Sequence, residues 1–158
     1  MSDQINAAPI TGVVKPAGAE DKQPAGERPL GYKSLRGFAG ALGIKFLSLG
    51  NGEGKVRLVL TDAHRNPMRA VHGAVLFAVA DTVAGAAASS IDRTHAATLT
   101  SSCEFLQSTI ESKELTAEAV PVKKEGRVVF YDVNVIDDRN VTVAHFNFSF
   151  YRIFRKDR

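Results

Sequence analysis

Hydrophobic and polar positions change their period several times along the chain, and each change marks an element. Residues 1–28 keep no period and are rich in Pro, Gly, Ala and charged residues, which predicts an N-terminal tail ahead of one folded domain, 29–158. From Pro29 onward, Leu30, Leu35, Phe38, Ala39 and Leu42 recur at roughly helical spacing as far as Gly43, so a short helix is expected there. In IKFLSLGNGEGKVRLVLTD the period drops to two, with Val56, Leu58 and Leu60 alternating after Gly50, Asn51, Gly52 and Gly54; this predicts a strand, a tight turn and a second strand. Gly73 to about Ser90 is apolar on nearly every face, the pattern of a helix buried on most sides. The segments ATLTSSCEFLQST, LTAEAVPVKK, RVVFYDVNVIDD and VTVAHFNFSFYRI are rich in Val, Thr, Phe and Tyr and predict four strands, the last three a meander. The sum is an α+β architecture, an antiparallel sheet wrapped around one central helix.

Composition narrows the function classes. At 158 residues and 44% hydrophobic the chain has enough for one domain with a real core. A single cysteine, Cys103, excludes an internal disulfide framework and a cysteine-based zinc site, and its expected role is that of a small buried hydrophobe in a reducing compartment. The N-terminus lacks the pattern of a signal peptide, and Asp81 interrupts the longest apolar run, so a cytoplasmic protein without a membrane span is expected. The net charge of +3 is scattered rather than gathered into a stripe, which argues against nucleic acid as partner. His64, His95 and His145 show no metal-ligand spacing, so no metal is expected. GNGEG lacks the Lys-Ser/Thr of a phosphate loop. Lys123, Lys124 and Arg127 frame a turn, a solvated face that with Arg155 and Lys156 suits the phosphates of a small polyanionic ligand.

One residue does not fit its surroundings. Asp81 stands in the middle of the apolar helix, where a carboxylate losing its hydration needs a hydrogen-bond partner or a chemical task. Phe77, Ala78, Ala84 and Gly85 are its neighbours on the helix surface, and the small ones leave space beside it. Gly73 opens the same helix with no side chain to shield its backbone N–H, so the free amide and the helix dipole suit an oxygen gaining negative charge. The two are about 12 Å apart by helical rise, too far to serve one carbonyl carbon within a single chain. Two chains with antiparallel helices would bring them together.

The motif N-x5-H-G with an Asp nine residues after the His, as Asn66, His72, Gly73 and Asp81 stand here, resembles the signature of hotdog-fold acyl-CoA thioesterases of the phenylacetate-degradation (PaaI-like) group. The resemblance spans residues from about 35 to 153. It implies a hotdog fold, dimers that share one continuous sheet and commonly pair into homotetramers, and an active site at the dimer interface. It further implies hydrolysis of an acyl-CoA thioester to free acid and coenzyme A, with no cofactor beyond the coenzyme A of the substrate. In those terms the Gly73 amide polarises the thioester carbonyl, Asn66 and His72 order the loop and substrate, Asp81 of the other chain is base or nucleophile, and Thr98 supplies a hydroxyl near that acid. The chain departs from the family pattern at Arg69 and Ala74, where glycines are usual, and lacks the proline after FL in CEFLQST. Arg69 and Ala74 are therefore expected at the substrate. The alternatives are a non-catalytic acyl-CoA-binding hotdog protein and a hotdog enoyl-CoA hydratase.

Overall fold

A computed structural model describes residues 35–154; the 1–28 tail, Leu30, Arg155 and Lys156 lie outside the described residues. The elements are α1 (Gly37–Ala41), β1 (Lys45–Gly50), β2 (Glu53–Val59), α2 (Gly73–Ser90), β3 (His95–Phe105), β4 (Glu114–Glu125), β5 (Val128–Asp137) and β6 (Thr142–Ile153), with single 3-10 turns at Asp62–His64 and Ile91–Arg93. The six strands form one antiparallel sheet in the order β1-β2-β4-β5-β6-β3, and α2 lies across its inner face. This is the α+β hotdog arrangement. The β4-β5-β6 meander is as the alternation predicted, and α2 runs between the expected limits.

The helix sits deep because its side chains are small. Ten of its 18 residues are buried, six of them alanine, so the strands can close on it. Gly54 of β2 marks the tightest approach, where a Cβ would come within 3.0 Å of the Val83 side chain. Large residues come from the sheet instead: Leu58, Leu115, Tyr131, Phe146 and Phe150 are at most 1% exposed. Length and a mean hydropathy of 1.4 would let Gly73–Ser90 cross a membrane, yet more than half of that segment is buried inside the domain, as in a core helix.

Two expectations are corrected. The first helix stops before Gly43 (φ +81°) as expected, with Leu42 as its C-cap, but it is only five residues long and begins at Gly37 (φ +66°), after Leu35, because Gly37 adopts left-handed backbone and its N-cap, Arg36, makes no side-chain capping bond. Cys103 is exposed, not buried, because β3 is an outer strand of the sheet, paired on one side only.

The loops at one end of the sheet are fixed by a buried acid. Asp137, whose side chain is fully buried, accepts from Ser112 Oγ (2.9 Å), from Arg139 Nε (2.8 Å) and from the N–H groups of Arg139 (3.0 Å) and Val141 (3.1 Å). Asp138 Oδ1 accepts from Lys113 N–H at 2.7 Å. Burial pushes the Asp137 carboxyl up, but the bonds from Arg139, Ser112 and the backbone outweigh it and hold the group below the usual carboxylate range. A carboxylate with a depressed folded pKa contributes stability above its unfolded value and loses it as pH falls through the folded one. The melting temperature should therefore drop as pH falls below about 4. Asp137→Asn should melt lower than wild type at pH 7, with the gap closing as pH falls below about 4; a gap that stays constant on acidification in calorimetry would show that the charge is not what stabilises.

Candidate active site

Two groups of residues emerge on the exposed side of α2. The first is the loop that feeds the helix. Asn66 organises it: its Oδ1 accepts from the N–H of Met68 (3.0 Å) and Ala70 (3.1 Å), while its own N–H donates to Ala70 O at 2.8 Å. The chain then turns through Arg69 at φ +69°, in the left-handed region. His72 is the N-cap of α2; its N–H donates to His64 O at 2.8 Å and its Nδ1 accepts from Ala74 N–H at 3.0 Å. The next amide, Gly73 N–H, has no acceptor among the described residues. A Cβ at Gly73 would lie 3.1 Å from the Phe105 ring, so glycine here lets the end of β3 pack over the start of the helix.

The second group lies two turns along α2. Asp81 is half-buried, and Thr98 Oγ1 on β3 donates to its Oδ1 at 2.8 Å. That contact depends on a β-bulge. Thr98 pairs with Phe150 while Thr100 pairs with the adjacent Ser149, so Leu99 is an extra residue in the ladder. Thr98 and Thr100 would share a face in a regular strand. With the bulge, Thr98 turns inward to Asp81 and Thr100 outward, its hydroxyl 2.7 Å from Ser149 Oγ. Phe77, one turn before Asp81, is 37% exposed and packs edge-on against Phe146 and Phe148, giving the acid an aromatic shelf.

One chain thus brings together Asp81 with Thr98, and separately Asn66, Arg69, His72, Gly73 and Ala74. The ion-pair partner of Arg69 is Asp62 at 3.2 Å, both side chains mostly in solvent, not Asp81. Lys123, Lys124 and Arg127 flank the β4–β5 turn as expected. Among the described residues no three His, Cys, Asp or Glu side chains gather to hold a metal ion. Two residues carry weight that the sequence did not signal. Arg65 ties the loop to the one after β3, with Nη1 donating to Arg69 O (2.8 Å) and Ile110 O (3.0 Å) and Nη2 to Ser112 O (2.7 Å). His64 is buried, taking the Thr61 N–H on Nδ1 at 2.9 Å and reaching Leu42 O from Nε2 at 3.0 Å. Nothing in their spacing distinguishes them from surface residues.

Comparison with known proteins bears on this arrangement. The sequence matches the family described as "Thioesterase superfamily" over residues 68–144. It is 32% identical over 118 residues to the acyl-coenzyme A thioesterase PaaI of Escherichia coli (strain K12), covering 73% of this chain and 81% of that one. A solved structure of the E. coli PaaI protein superposes with a TM-score of 0.69 at 29% identity, covering 73% of this chain and 83% of that chain. A variant of the phenylacetic acid degradation protein PaaI from Thermus thermophilus gives a TM-score of 0.69 at 28% identity, over 73% of this chain and 98% of that one. At 19% identity and a TM-score of 0.66, a hypothetical thioesterase solved with coenzyme A from Streptococcus pneumoniae shares the fold, over 72% of this chain and 88% of that one.

The left-handed turn at Arg69 has a measurable cost. An L-residue in that conformation is disfavoured by about 1–2 kcal/mol, so Arg69→Gly should be more stable than Arg69→Ala by about 1 kcal/mol in urea unfolding. Equal stability of the two variants would mean that the loop does not hold this backbone in solution.

Proposed function

The chain belongs to the thioesterase superfamily and is a thioester hydrolase, and from that premise we propose that it cleaves acyl-coenzyme A thioesters at sites shared between two copies of itself. The hydrogen bond from Thr98 to Asp81 carries the reading. It occupies one carboxylate oxygen and leaves the other to accept from a water molecule, on the half-exposed side of a helix that is otherwise buried. Asp81 then acts as base: the water oxygen attacks the thioester carbonyl carbon as its proton passes to Asp81. The tetrahedral oxyanion is met by the Gly73 N–H of the second copy, an unspent donor at the positive end of a helix. Collapse breaks the carbon–sulfur bond, and the leaving thiolate recovers the proton from Asp81. Asp81 as a nucleophile forming an acyl anhydride is the alternative, and the Thr98 bond favours the base.

Pairing of two copies is supported by what one copy leaves uncovered. The 11-residue β3 is an edge strand that is exposed for nearly its whole length, with Leu99 and Phe105 more than half exposed. Such an edge is open to pairing with a second copy of itself. Two β3 strands joined about a two-fold axis would extend the sheet and lay the start of one α2 toward Asp81 of the other. Asn66 and His72 order the loop at the substrate, Arg69 and Ala74 lie at its rim, and the product is a free acid plus coenzyme A. No further cofactor is needed, a dimer is the minimal unit with a tetramer as its doubled form, and the lone thiol suits a cytoplasmic setting.

Asp81→Asn should lower kcat by about 100-fold or more with the fold intact, and Thr98→Ala by less. Wild-type turnover by Asp81→Asn on its best thioester would make the acid structural. Sharing of the site has its own test. Asp81→Asn and Gly73→Val chains are each inactive, but on random re-pairing the mixture should recover about a quarter of wild-type activity, since half the dimers carry one intact site. No recovery in mixtures shown by mass spectrometry to contain heterodimers would place Asp81 and Gly73 in separate, unshared sites.

A further inference from the structure

The segment that delivers Gly73 to the site is a closed hairpin. Residues 64–72 fold back through a bridge between Arg65 and Val71, with His72 N–H donating to His64 O (2.8 Å), Asn66 N–H to Ala70 O (2.8 Å) and Arg69 N–H to Asn66 O (2.9 Å). One leg ends at His64, whose ring is held between Thr61 and Leu42. The other ends at His72, the N-cap of α2, and the direction of the Gly73 N–H follows from the His72 ψ of 133°, because the peptide between them is planar. Both legs are therefore fixed, but neither histidine reaches the tip.

The tip is held by Arg65. This half-buried side chain donates from Nη1 to Arg69 O (2.8 Å) and, across to the loop after β3, to Ile110 O (3.0 Å) and Thr109 O (3.3 Å), and from Nη2 to Ser112 O (2.7 Å). The four acceptors are main-chain carbonyls drawn from two loops, so the rigid guanidinium fork sets the separation of two stretches of backbone. Thr109, itself buried, adds a second link, its hydroxyl accepting from Val71 N–H at 2.9 Å.

The loop that receives these bonds is anchored in turn. Ser112 Oγ donates to the buried Asp137 at 2.9 Å, and Arg139, which also binds Asp137, donates to Ser108 O at 3.3 Å. A continuous run of hydrogen bonds thus leads from Asp137, through Ser112 and Arg65, to the carbonyl of Arg69, four residues before Gly73. The hairpin closes by its own ladder without Arg65, and partial burial of a guanidinium on neutral carbonyls carries a desolvation cost. What the side chain adds is a stop against rocking of the tip on its two legs.

We propose that Arg65 is a positioning residue for thioester hydrolysis, bracing the 64–72 hairpin against the loop after β3 so that the Gly73 N–H keeps the direction in which it meets the oxyanion. The inference rests on the reading of Gly73 as oxyanion donor given above. Arg65 touches no reacting atom; it acts through Gly73 of its own chain, and hence on the site completed by Asp81 of the other copy. A donor aimed in advance at developing charge loses effect when it can swing, because its orientation must then be restored in the transition state. Ground-state binding of the substrate makes no such demand, so the loss falls on kcat.

The test uses the full chain with Arg65→Met, which removes the fork, and Arg65→Lys, which keeps the charge on one nitrogen. Tyr131→Phe is the control, deleting the bond from the buried Tyr131 hydroxyl to Gly52 O (2.8 Å) and so lowering stability away from the hairpin. Arg65→Met should lower kcat about tenfold with KM within about twofold, Arg65→Lys should fall between it and wild type, and Tyr131→Phe should keep wild-type kcat while melting lower. Mixed dimers then locate the effect. In a dimer of one Asp81→Asn and one Gly73→Val chain, the working site takes Gly73 from the first and Asp81 from the second. Arg65→Met should cut the recovered activity about tenfold when added to the Asp81→Asn chain and leave it unchanged when added to the Gly73→Val chain. Unchanged kcat in Arg65→Met, a loss confined to KM, or equal losses in the two placements would each overturn the role. Should Arg65→Met not fold, Arg65→Lys carries the same comparisons. If the parent mixture recovers nothing, the shared site fails, and the kcat of the Arg65 variants alone decides whether the brace stands.

Discussion

A helix of eighteen mostly apolar residues persists in water only where protein covers it, and in this fold one sheet must do nearly all of that covering. That requirement sets the size of the helix side chains, because alanine at so many buried positions brings the strands close enough for Leu58, Tyr131 and Phe150 to fill the remaining volume. It also sets the strand order. β3 leaves the end of the helix and pairs with the last strand, which makes it an outer strand of the sheet with one edge open. The face left over, with Ala74, Phe77 and Asp81 along it, is where chemistry can reach the helix.

Asp81 is tolerable in such a helix because it lies on that face and has Thr98 as donor. A carboxylate turned toward Val133 or Phe146 would have met only hydrocarbon. The loop before the helix is held by an unusual density of backbone contacts from side chains: Asn66 within it, Arg65 beneath it, His72 at its junction with the helix. Rigid support of this kind keeps the Gly73 amide at a fixed position and direction, which is what an electrostatic contact with a transient charge requires.

The limits of α2 and the alternating strands were legible in the sequence because the inward residues of β2, β5 and β6 follow a period of two and those of the helix do not. The motif from Asn66 to Asp81 was legible for the same reason, since its spacing is read along one chain. Features made by contacts between distant segments were not. The pairing of Arg65 with carbonyls more than forty residues away leaves no local pattern, and neither does the clasp of Asp137 on Ser112. Cys103 was misread because burial depends on which strand is outermost, a property of the whole sheet. The first helix was over-extended at its start because the apolar spacing reaches back through Leu35, while the left-handed Gly37 is where the helix begins.

The bulge at Leu99 separates β3 into two halves whose facing is set independently. Removing that one residue would leave Thr98 opposite Phe150 and Thr100 opposite Ser149, with both hydroxyls still turned as they are. Chain length at this point is therefore free to vary by one over evolutionary divergence while the parity on either side is not. Leu99, more than half exposed, contributes little packing that would resist its loss. Related sequences aligned through this strand should accommodate a single-residue gap at Leu99 more readily than an exchange of Thr98 for an apolar residue.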